Sequence, residues 1–418
     1  MVTSAPRPHL CAVTRPLRAV PSLLQYADQR NPLLWVRGDR GCVGIGEALR
    51  LTFRGPNRFA EADAAWREIS TLATIDDTVQ RPGTGLLAFG TFAFDDRSAA
   101  ESVLIVPRLL VARHGNVAWV TEVSRAQLDQ PRPLPEPHPR GTWSGAVLDT
   151  SAPNDAYLDG VREATARIDR GEAEKIVLAR TVTSSIDAHD DLRVPLSRLA
   201  YRYTDCWTYA VDGMLGASPE TLVRQTAGKI TSRVLAGTRG RRDDEAADLR
   251  TRDELLANEK EQQEHAFSVQ SVVAALHPLV AELRTSEQPF ALQLPNVWHL
   301  ATDVKATPAD GGTSLKLTAA LHPTAAVAGT PTAAAVEAIT ELEPFDRERY
   351  AGATGWIDAN GDGEWVIALR GAQVRGAVDG RREVVAYAGG GILAGSDPAH
   401  ELRETVSKFK PIAEAFAQ

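Results

Sequence analysis

Residues 387–408 read Tyr387-Ala-Gly-Gly-Gly-Ile-Leu-Ala-Gly-Ser-Asp-Pro-Ala-His-Glu-Leu-Arg-Glu-Thr-Val-Ser-Lys408, and the rest of the chain is organised around them. A strand-like run enters three glycines, and Ser396-Asp397-Pro398 then predicts the start of a helix, with the aspartate as its cap and the proline in its first turn. On that helix Glu401, Glu404 and Lys408 are spaced i, i+3 and i+7. The spacing predicts that all three lie on one face.

The same carboxylate spacing recurs upstream, at Glu261 and Glu264, inside a run from Asp244 to about Val280 whose pattern predicts a helix. Two such pairs could place oxygen ligands around Mg²⁺, which usually takes only one or two protein carboxylates and keeps waters or substrate oxygens. The alternative is a solvated helix face, with Glu404 and Lys408 as an ordinary i, i+4 pair. The spacing alone leaves both readings open.

Composition bounds the class of protein. The chain has 418 residues, of which 43% are hydrophobic and 24% charged, as expected of a globular protein with an ample core. Its net charge of −8 argues against a nucleic-acid partner, which would need a basic surface. An anionic ligand would therefore need locally placed cations.

The cysteines and the N-terminal sequence indicate the cellular compartment in which the protein is expected. Cys11, Cys42 and Cys206 are odd in number and form no C-x-x-C motif, so neither a disulfide framework nor a zinc site is indicated. The first residues contain no apolar run of the kind found in signal peptides, and no stretch reaches transmembrane length. We expect a cytoplasmic protein with no membrane partner, and a monomer, because no exposed apolar stripe demands a second subunit.

The chain divides into four stretches. Residues 1–30 are expected to form a tail and a first strand, and residues 31–128 a scaffold of strands with one helix. Residues 129–153 are rich in proline, which favours an extended linker or a long surface loop. Residues 154–418 hold the candidate functional residues. Among them, Lys175 and Arg180 lie on opposite faces of a predicted strand, so either could be buried.

Asp358-Ala-Asn-Gly-Asp-Gly363 matches the first half of a calcium-binding EF-hand loop. The twelfth position of such a loop should be a bidentate glutamate, but here it is Leu369, and the flanking residues predict strands instead of helices. We therefore interpret the segment as a hairpin turn, for which Asn and Asp beside Gly are the expected residues.

Nine motifs resemble, in order and spacing, those of the chorismate-utilising enzymes, and within them the isochorismate synthases. They cover residues 155–410 densely and the N-terminal third thinly. The motifs lie at residues 175–180, 216–220, 235–239, 255–265, 298–300, 321–326, 343–347, 363–370 and 389–408.

The resemblance implies a mixed α/β (α+β) fold, with one large antiparallel β-sandwich flanked by helices and a single chorismate-binding domain over residues 1–418. The proline-rich stretch then becomes a loop. It also implies chorismate, a dianion, as substrate, and Mg²⁺ as a bridge from the substrate's ring carboxylate to the protein. Glu264 and Glu404 match the family's metal ligands, while Glu261 and Glu401 match residues that hold the metal's waters or stand behind the ligands.

The family's chemistry assigns two further roles. Isochorismate forms when water adds at C2 of the ring and the C4 hydroxyl departs, so one group must activate water and another must protonate the leaving oxygen. By resemblance Lys175 is the base and Glu220 the acid. Lys175 must be uncharged and Glu220 protonated before the reaction, and burial favours both states.

The remaining matching positions would contact the substrate. Arg370 would grip the enolpyruvyl carboxylate through two parallel hydrogen bonds, and backbone amides at the glycine run would approach closely because no Cβ intervenes. His299 and His322 match histidines near the ring, although hydrogen-bonded core histidines are an equal alternative. The full predicted set is Gly237, Thr238, His299, His322, Ala326, Leu369, Arg370, Tyr387, Gly389, Gly391 and Lys408.

Three branches of the family are separated by single residues. Ala236 offers no nucleophile, which disfavours the aminodeoxychorismate branch, and Lys175 disfavours the ammonia-using anthranilate synthases. Salicylate synthases share Lys175 and Glu220, but members with lyase activity tend to have threonine where this chain has Ala326. Tyr387 departs from the phenylalanine frequent in isochorismate synthases, so a salicylate synthase remains an alternative, as does a homologue that binds without catalysis.

Overall fold

The structure is a computed structural model that describes residues 8–18, 20, 22–127, 134–137, 139–293, 297–309 and 311–418; the side chains of Lys260 and Glu264 lie outside the description. Within these residues the helices are α1 Arg58–Leu72, α2 Asp155–Asp169, α3 Arg193–Arg202, α4 Glu245–Ala257, α5 Glu259–Leu276, α6 Ser314–Leu321, α7 Thr332–Leu342 and α8 Pro398–Phe416.

The strands follow one another densely along the described chain. They are β1 Cys11–Leu17, β2 Leu33–Arg37, β3 Arg40–Ile45, β4 Leu49–Phe53, β5 Thr74–Asp77, β6 Leu87–Thr91, β7 Ser102–Val106, β8 Leu109–His114, β9 Val117–Ser124, β10 Lys175–Asp187, β11 Trp207–Val211, β12 Met214–Ser218, β13 Thr221–Thr226, β14 Lys229–Gly240, β15 Val280–Thr285, β16 Phe290–Gln293, β17 Val297–Pro308, β18 Gly329–Thr330, β19 Ala353–Asp358, β20 Gly363–Ile367, β21 Gly371–Val378 and β22 Arg381–Ile392.

Two large sheets form the body. The first has the order β18-β10-β22-β21-β12-β11-β2-β3-β8-β9-β1-β5, and the second has the order β15-β17-β14-β13-β20-β19-β6-β7-β4, with β16 paired to β17. The strand pairs are antiparallel except that β1 and β5 run parallel. The predicted α+β fold with a large antiparallel sandwich is therefore confirmed.

Apolar side chains on both faces of each sheet explain the layered arrangement. A central core that includes Trp35, Tyr209 and Phe89 joins the inner faces of the two sheets. The outer face of the first sheet packs on α3 and α8, where Phe409 is buried, and that of the second packs on α1 and α6, where Trp66 is buried. Burying both sheet faces requires such flanking helices.

Helix caps set the ends of the functional helices. The Asp397 carboxylate accepts a hydrogen bond from the amide of His400 at 2.7 Å, and so begins α8 where the sequence predicts it. The helical run predicted from Asp244 is instead broken into α4 and α5, because Asn258 leaves the helical conformation and caps α5 by accepting from the amide of Glu261 at 3.0 Å. The break sets the start of α5 beside the cavity described below.

Three stretches outside the functional helices can be compared with their sequence-based predictions. Within the described part of residues 1–30, the predicted first strand is β1, which pairs with both β9 and β5, and Tyr26 is buried. The described part of residues 129–153 is a loop that packs along α8, with the Ala146 amide donating to Phe416 O at 2.8 Å. Its residues 129–133 and 138 lie outside the description. The segment Asp358–Gly363 is the predicted hairpin turn, joining β19 to β20.

Among the described helices, none combines the length and apolar character that crossing a bilayer requires.

Candidate active site

A cavity of about 570 Å³ lies where β10 and β22 of the first sheet approach β14 and β17 of the second. The N-terminal parts of α5 and α8 close it, and the segments around Ala326, Tyr350 and Arg370 complete its wall. Two helix N-termini directed at one cavity favour a negatively charged occupant, because their amide groups carry partial positive charge.

Lys175 is the first residue of β10, and its side chain enters the cavity. The side chain passes over Gly391 on the neighbouring strand, where an added methyl group would lie 2.6 Å from Lys175 Cε and 3.3 Å from Nζ. Glycine at 391 is therefore needed for the position that the amine occupies. Of the two basic residues of this strand, Arg180 is the buried one, and Lys175 is half-buried at the cavity wall.

Glu220 lies just behind this wall. It follows β12 and borders a small neighbouring cavity that shares Ala326 with the large one. Burial raises the pKa of Glu220 to about 7, although the positive charges of Arg370 and Lys175 oppose the shift. A carboxyl group in this environment keeps its proton near neutral pH, which a general acid requires.

Three groups on one face of α8 point at the glycine run of β22. Lys408 Nζ lies 2.5 Å from Glu404 Oε1 and donates to Gly389 O at 2.8 Å, while Glu401 accepts from the Ser396 hydroxyl at 2.9 Å. A methyl group at Gly390 would stand 3.4–3.7 Å from all three side chains. The predicted shared face of Glu401, Glu404 and Lys408 therefore lines the cavity.

The charges on this face are unevenly balanced. Burial raises the pKa of Glu401, and the negative charge of Glu404 raises it further. Burial also opposes ionisation of Glu404, but the adjacent Lys408 outweighs this effect, so the pKa of Glu404 is lowered. Burial lowers the pKa of Lys408. A carboxylate that is buried beside another carboxylate is stabilised when a cation binds.

Glu261 approaches from the opposite side, at the start of α5. Its Oε1 lies 3.6 Å from a guanidinium nitrogen of Arg239, and its Oε2 lies so close to Gly237 that a methyl group there would come within 2.8 Å. The side chain of Glu264, the other predicted ligand on this helix, lies outside the described residues. The backbone of α5 continues through this position.

Glu261, Glu401 and Glu404 thus line one cavity without converging on one point. Among the residues that the structure describes, no three acidic, histidine or cysteine side chains are grouped closely enough to hold a metal ion. The donor set nevertheless fits a hard divalent cation with retained waters, since all three groups are carboxylates.

A β-bulge shapes the wall opposite Lys175. The pairing of β14 with β17 shifts by one residue at Gly237, whose φ of +79° is the left-handed conformation that glycine tolerates. Beyond the bulge, Thr238 Oγ1 lies 2.9 Å from His299 Nδ1. Burial lowers the pKa of His299 to about 3, so the imidazole is neutral at physiological pH. Its Nε2 is buried and has no hydrogen-bond partner in the described part of the chain.

Arg370 supplies a cation on the remaining wall, next to Leu369. Its φ of +50° is unusual for a residue with a side chain. Burial lowers the pKa of Arg370, although Tyr350 and Glu404 act against the shift. Within the described residues its guanidinium pairs with no carboxylate and donates no hydrogen bond, so its donors are available to an anion in the cavity.

The structure places His322 and Tyr387 away from the cavity. His322 Nε2 lies 3.0 Å from Phe94 O, and the ring packs among Phe59 and Phe94. This environment is that of a hydrogen-bonded core histidine, the alternative given for His322 above. Tyr387 is buried and stacks on Tyr350, with ring centroids 5.0 Å apart. Alternation along β22 turns Tyr387 to the face opposite Ala386 and Ala388, and Tyr350, not Tyr387, reaches the cavity.

The sequence interpretation did not single out the role of Arg347, although its motif was recognised. Arg347 and Glu343 form a buried ion pair of 2.6 Å, and each side chain is 3% exposed. Glu343 also accepts from the amide of Ala179, while Arg347 donates to Val177 O at 2.7 Å and to Val327 O at 2.9 Å. The pair therefore fixes β10, which carries Lys175, against the segment that carries Ala326.

The chain is similar to known proteins over nearly its whole length. Residues 2–417 match the family described as chorismate binding enzyme. Isochorismate synthase DhbC of Bacillus subtilis is 36% identical over 345 residues, covering 79% of this chain and 80% of the relative. The salicylate biosynthesis isochorismate synthase of Pseudomonas aeruginosa is 32% identical over 422 residues, covering 94% and 86%. The solved structure of MenF, the menaquinone-specific isochorismate synthase from Escherichia coli, superposes with a TM-score of 0.76 at 26% identity, covering 98% and 95%.

Proposed function

Because the chain belongs to the family of chorismate-binding enzymes, we propose that it is an isochorismate synthase that converts chorismate to isochorismate. The observation that carries the proposal is the joint placement of Lys175, Arg370 and three carboxylates around one cavity, with Glu220, whose pKa burial raises to about 7, behind its wall. The similarity to named isochorismate synthases over most of both chains supports it.

In the proposed reaction Lys175 accepts a proton from water as the water oxygen bonds to C2 of the ring. The two ring double bonds shift, the C4–O bond breaks, and Glu220 donates its proton so that the hydroxyl leaves as water. Addition and loss of water balance, and the product is an isomer of the substrate. Glu220 borders a small cavity that shares the wall residue Ala326 with the substrate cavity.

Substrate binding falls to the cations and amides of the wall. Arg370 would bind the enolpyruvyl carboxylate, Lys408 would add a further cation, and the backbone at Gly389 and Gly391 would approach the ring. Thr238 and the neutral His299 offer hydrogen bonds on the opposite side. The positive charges match a doubly negative substrate in a chain whose net charge is −8.

We propose Mg²⁺ as the cofactor, held by Glu404 and Glu264 with Glu261 and Glu401 beside it. A divalent ion in this place would neutralise the ring carboxylate and add to the polarisation of the ring. The placement of Glu261, Glu401 and Glu404 on the wall of one cavity supports the proposal. Calorimetric titration with Mg²⁺ in the absence of chorismate tests it directly.

The deciding experiment is to incubate the protein with chorismate and Mg²⁺ and to separate the products by chromatography. Isochorismate alone supports the proposal. Salicylate together with pyruvate would indicate the salicylate synthase alternative, and unchanged chorismate would indicate a binding homologue. Lys175→Ala should abolish turnover while Lys229→Ala, an exposed lysine of β14, should not. Wild-type turnover in Lys175→Ala would remove the lysine as base.

We further propose a monomer that works in the cytoplasm and binds no nucleic acid. All three cysteines, Cys11, Cys42 and Cys206, are buried free thiols, which suits a reducing compartment. The large exposed apolar side chains Val147, Tyr201 and Val378 lie in separate segments of the described chain. Light scattering on the purified protein and fractionation of cells test the two parts separately.

A further inference from the structure

A second cavity of about 650 Å³ lies at one end of the space between the two sheets. Among the described residues it shares no wall residue with the substrate cavity. Its lining includes Arg37 from β2 of the first sheet and charged side chains from β13, β14, β17 and β20 of the second. Charged walls of this kind are unusual between sheets, whose facing surfaces are normally apolar.

Strand register explains how the charges come together. Lys305 pairs with Thr231, Thr231 pairs with Arg224, and Arg224 pairs with Glu364, so these residues form one cross-strand row over four neighbouring strands. Burial increases along the row, from the exposed Lys305 to the buried Glu364. Lys305 and Arg224 are two strands apart, which separates their Cα atoms by about 10 Å.

Arg37 faces this row from the other sheet. Its guanidinium carbon lies 4.6 Å from the centre of the Trp207 ring, which holds it in place. Burial lowers the pKa of Arg37, and the like charges of Arg224 and Arg233 lower it further even though Glu364 acts in the other direction. Positive charges are thus crowded at this cavity without a matching number of negative ones.

The carboxylates on the same wall are already engaged or distant. Arg233 holds Asp303 through two contacts of 2.6 and 3.1 Å. Glu364 is buried, lies 4.0 Å from Arg40, and has a pKa raised by burial. Asp205 is exposed at the rim. Within the described chain no carboxylate lies within ion-pair distance of Arg37, Arg224 or Lys305.

We propose that this cavity is a binding site for a small organic anion with two carboxylate or phosphate groups. Arg37 and Arg224 would hold one group, since guanidinium ions pair with both anions through parallel hydrogen bonds. Lys305 would hold the other group at the open end. The separation along the cross-strand row suits two anionic groups joined by a short chain.

The position of the site gives it a consequence for catalysis, and this second step rests on the proposed function. Pro219 and Thr221, which flank Glu220, both line the second cavity. Thr221 also begins β13, the strand that carries Arg224. An anion bound by Arg224 would therefore occupy the cavity that the residues on both sides of the proposed acid line. It changes the turnover number of the enzyme without competing with chorismate.

The test is calorimetric titration of the full chain with succinate and, separately, with 1,3-propanediol bisphosphate, at constant ionic strength maintained with sodium chloride. Arg224→Gln should weaken binding by about tenfold or more, because it removes a charge-assisted hydrogen bond. Arg370→Gln, in the substrate cavity, should leave the affinity unchanged. So should Arg162→Gln, an exposed arginine of α2. Circular dichroism verifies that each variant is folded, and Lys305→Gln replaces Arg224→Gln if that variant is not.

The two ligands distinguish a carboxylate site from a phosphate site, and binding of either one supports the proposal. Equal affinity in Arg224→Gln and the wild type, loss of binding in Arg370→Gln, or no heat from either ligand would overturn it. Turnover of chorismate is measured separately with and without the ligand that binds. Binding is measured without substrate, so its result does not depend on whether the proposed reaction is correct.

Discussion

Lys408 Nζ lies 2.5 Å from Glu404 Oε1 and at the same time donates to Gly389 O at 2.8 Å. One lysine therefore connects a proposed metal ligand on α8 to the glycine run of β22. The pair keeps Glu404 ionised and aimed at the cavity before any cation binds, because the pKa of Glu404 is lowered mainly by Lys408 against the effect of burial. A preset carboxylate favours cation binding.

Replacing Glu404 tests the proposed metal site. Glu404→Gln should raise the Mg²⁺ concentration that gives half-maximal turnover by roughly 10- to 100-fold, the range found when a metal's supporting groups are removed. Glu414→Gln is the matched control, because Glu414 lies on the same helix but pairs with Arg202 at 2.6 Å. The measurement is a Mg²⁺ titration of isochorismate formation. An unchanged Mg²⁺ requirement in Glu404→Gln would remove this residue from the metal site.

The pKa of Glu220 predicts how activity depends on pH. Burial raises this pKa from its ordinary value of 4.5 to about 7, so the carboxyl group is mostly protonated below pH 7 and loses its proton as the pH rises. Loss of this proton lowers kcat/KM by about tenfold per pH unit above this value wherever Lys175 is already uncharged, since the general acid disappears. Glu220→Gln should reduce turnover by about 10²- to 10⁴-fold and remove this limb. Unchanged turnover in Glu220→Gln would rule out Glu220 as the acid.

The same shift predicts a gain in stability when Glu220 is replaced. Below pH 4.5 the carboxyl group is protonated in both the folded and the unfolded chain, so its burial costs nothing through ionisation. Between pH 4.5 and 7 only the unfolded chain ionises, and the wild type loses up to about 3 kcal/mol of its free energy of unfolding. In Glu220→Gln the free energy of unfolding should not fall over this pH range. In Glu254→Gln, a control on the exposed face of α4, it should fall as in the wild type. Urea unfolding at pH 5 and pH 8 measures the difference.

Local signals in the sequence predicted much of the site's framework. The cap at Asp397, the shared face of Glu401 and Glu404 and the strand that begins at Lys175 follow from residue preferences and periodicity, and the structure has all of them. The family resemblance predicted the overall sandwich. These features depend on neighbours in sequence or on a pattern spread over nine motifs.

Contacts between distant segments could not be predicted in the same way. His322 matches a family position, yet its environment is set by Phe59 and Phe94, more than two hundred residues away in the chain. The row of Lys305, Thr231 and Arg224 depends on strand register across three strands, which no single strand encodes. Asn258 had a cap-forming side chain, and that signal could have revealed the break between α4 and α5.

The buried pair of Glu343 and Arg347 should contribute strongly to stability. Arg347→Met leaves a buried carboxylate without its partner, which typically costs about 3–5 kcal/mol of the free energy of unfolding. Adding Glu343→Gln removes the charge but keeps an oxygen for the amide of Ala179, so the double variant should recover part of the loss. Urea unfolding measures both effects.

The control is a pair of similar composition on the surface. Arg167→Gln breaks the 2.6 Å contact with Glu341, whose side chain is 53% exposed, and should cost less than about 1 kcal/mol. If the double variant were as unstable as Arg347→Met alone, the unpaired charge would not be the cause. Turnover should fall with Arg347→Met even where the protein is folded, because β10 carries Lys175 and is anchored through Val177 O.

Alanine substitutions at the neighbouring glycines Gly390 and Gly391 of β22 test whether catalysis depends on the position of the Lys175 amine. An added methyl group at Gly391 would lie 2.6 Å from Lys175 Cε, whereas one at Gly390 would find its nearest neighbour, Glu401, at an ordinary 3.4 Å. Gly391→Ala should therefore displace the amine and reduce kcat by about 10²-fold, since a shift near 1 Å is enough for such a loss. The free energy of unfolding should change by less than about 0.5 kcal/mol, because the end of a lysine side chain moves easily.

The control variant, Gly390→Ala, should keep most of kcat. Equal kcat values in the two variants would mean that the amine of Lys175 does not need its present position, and the proposed base would have to be sought elsewhere on the cavity wall.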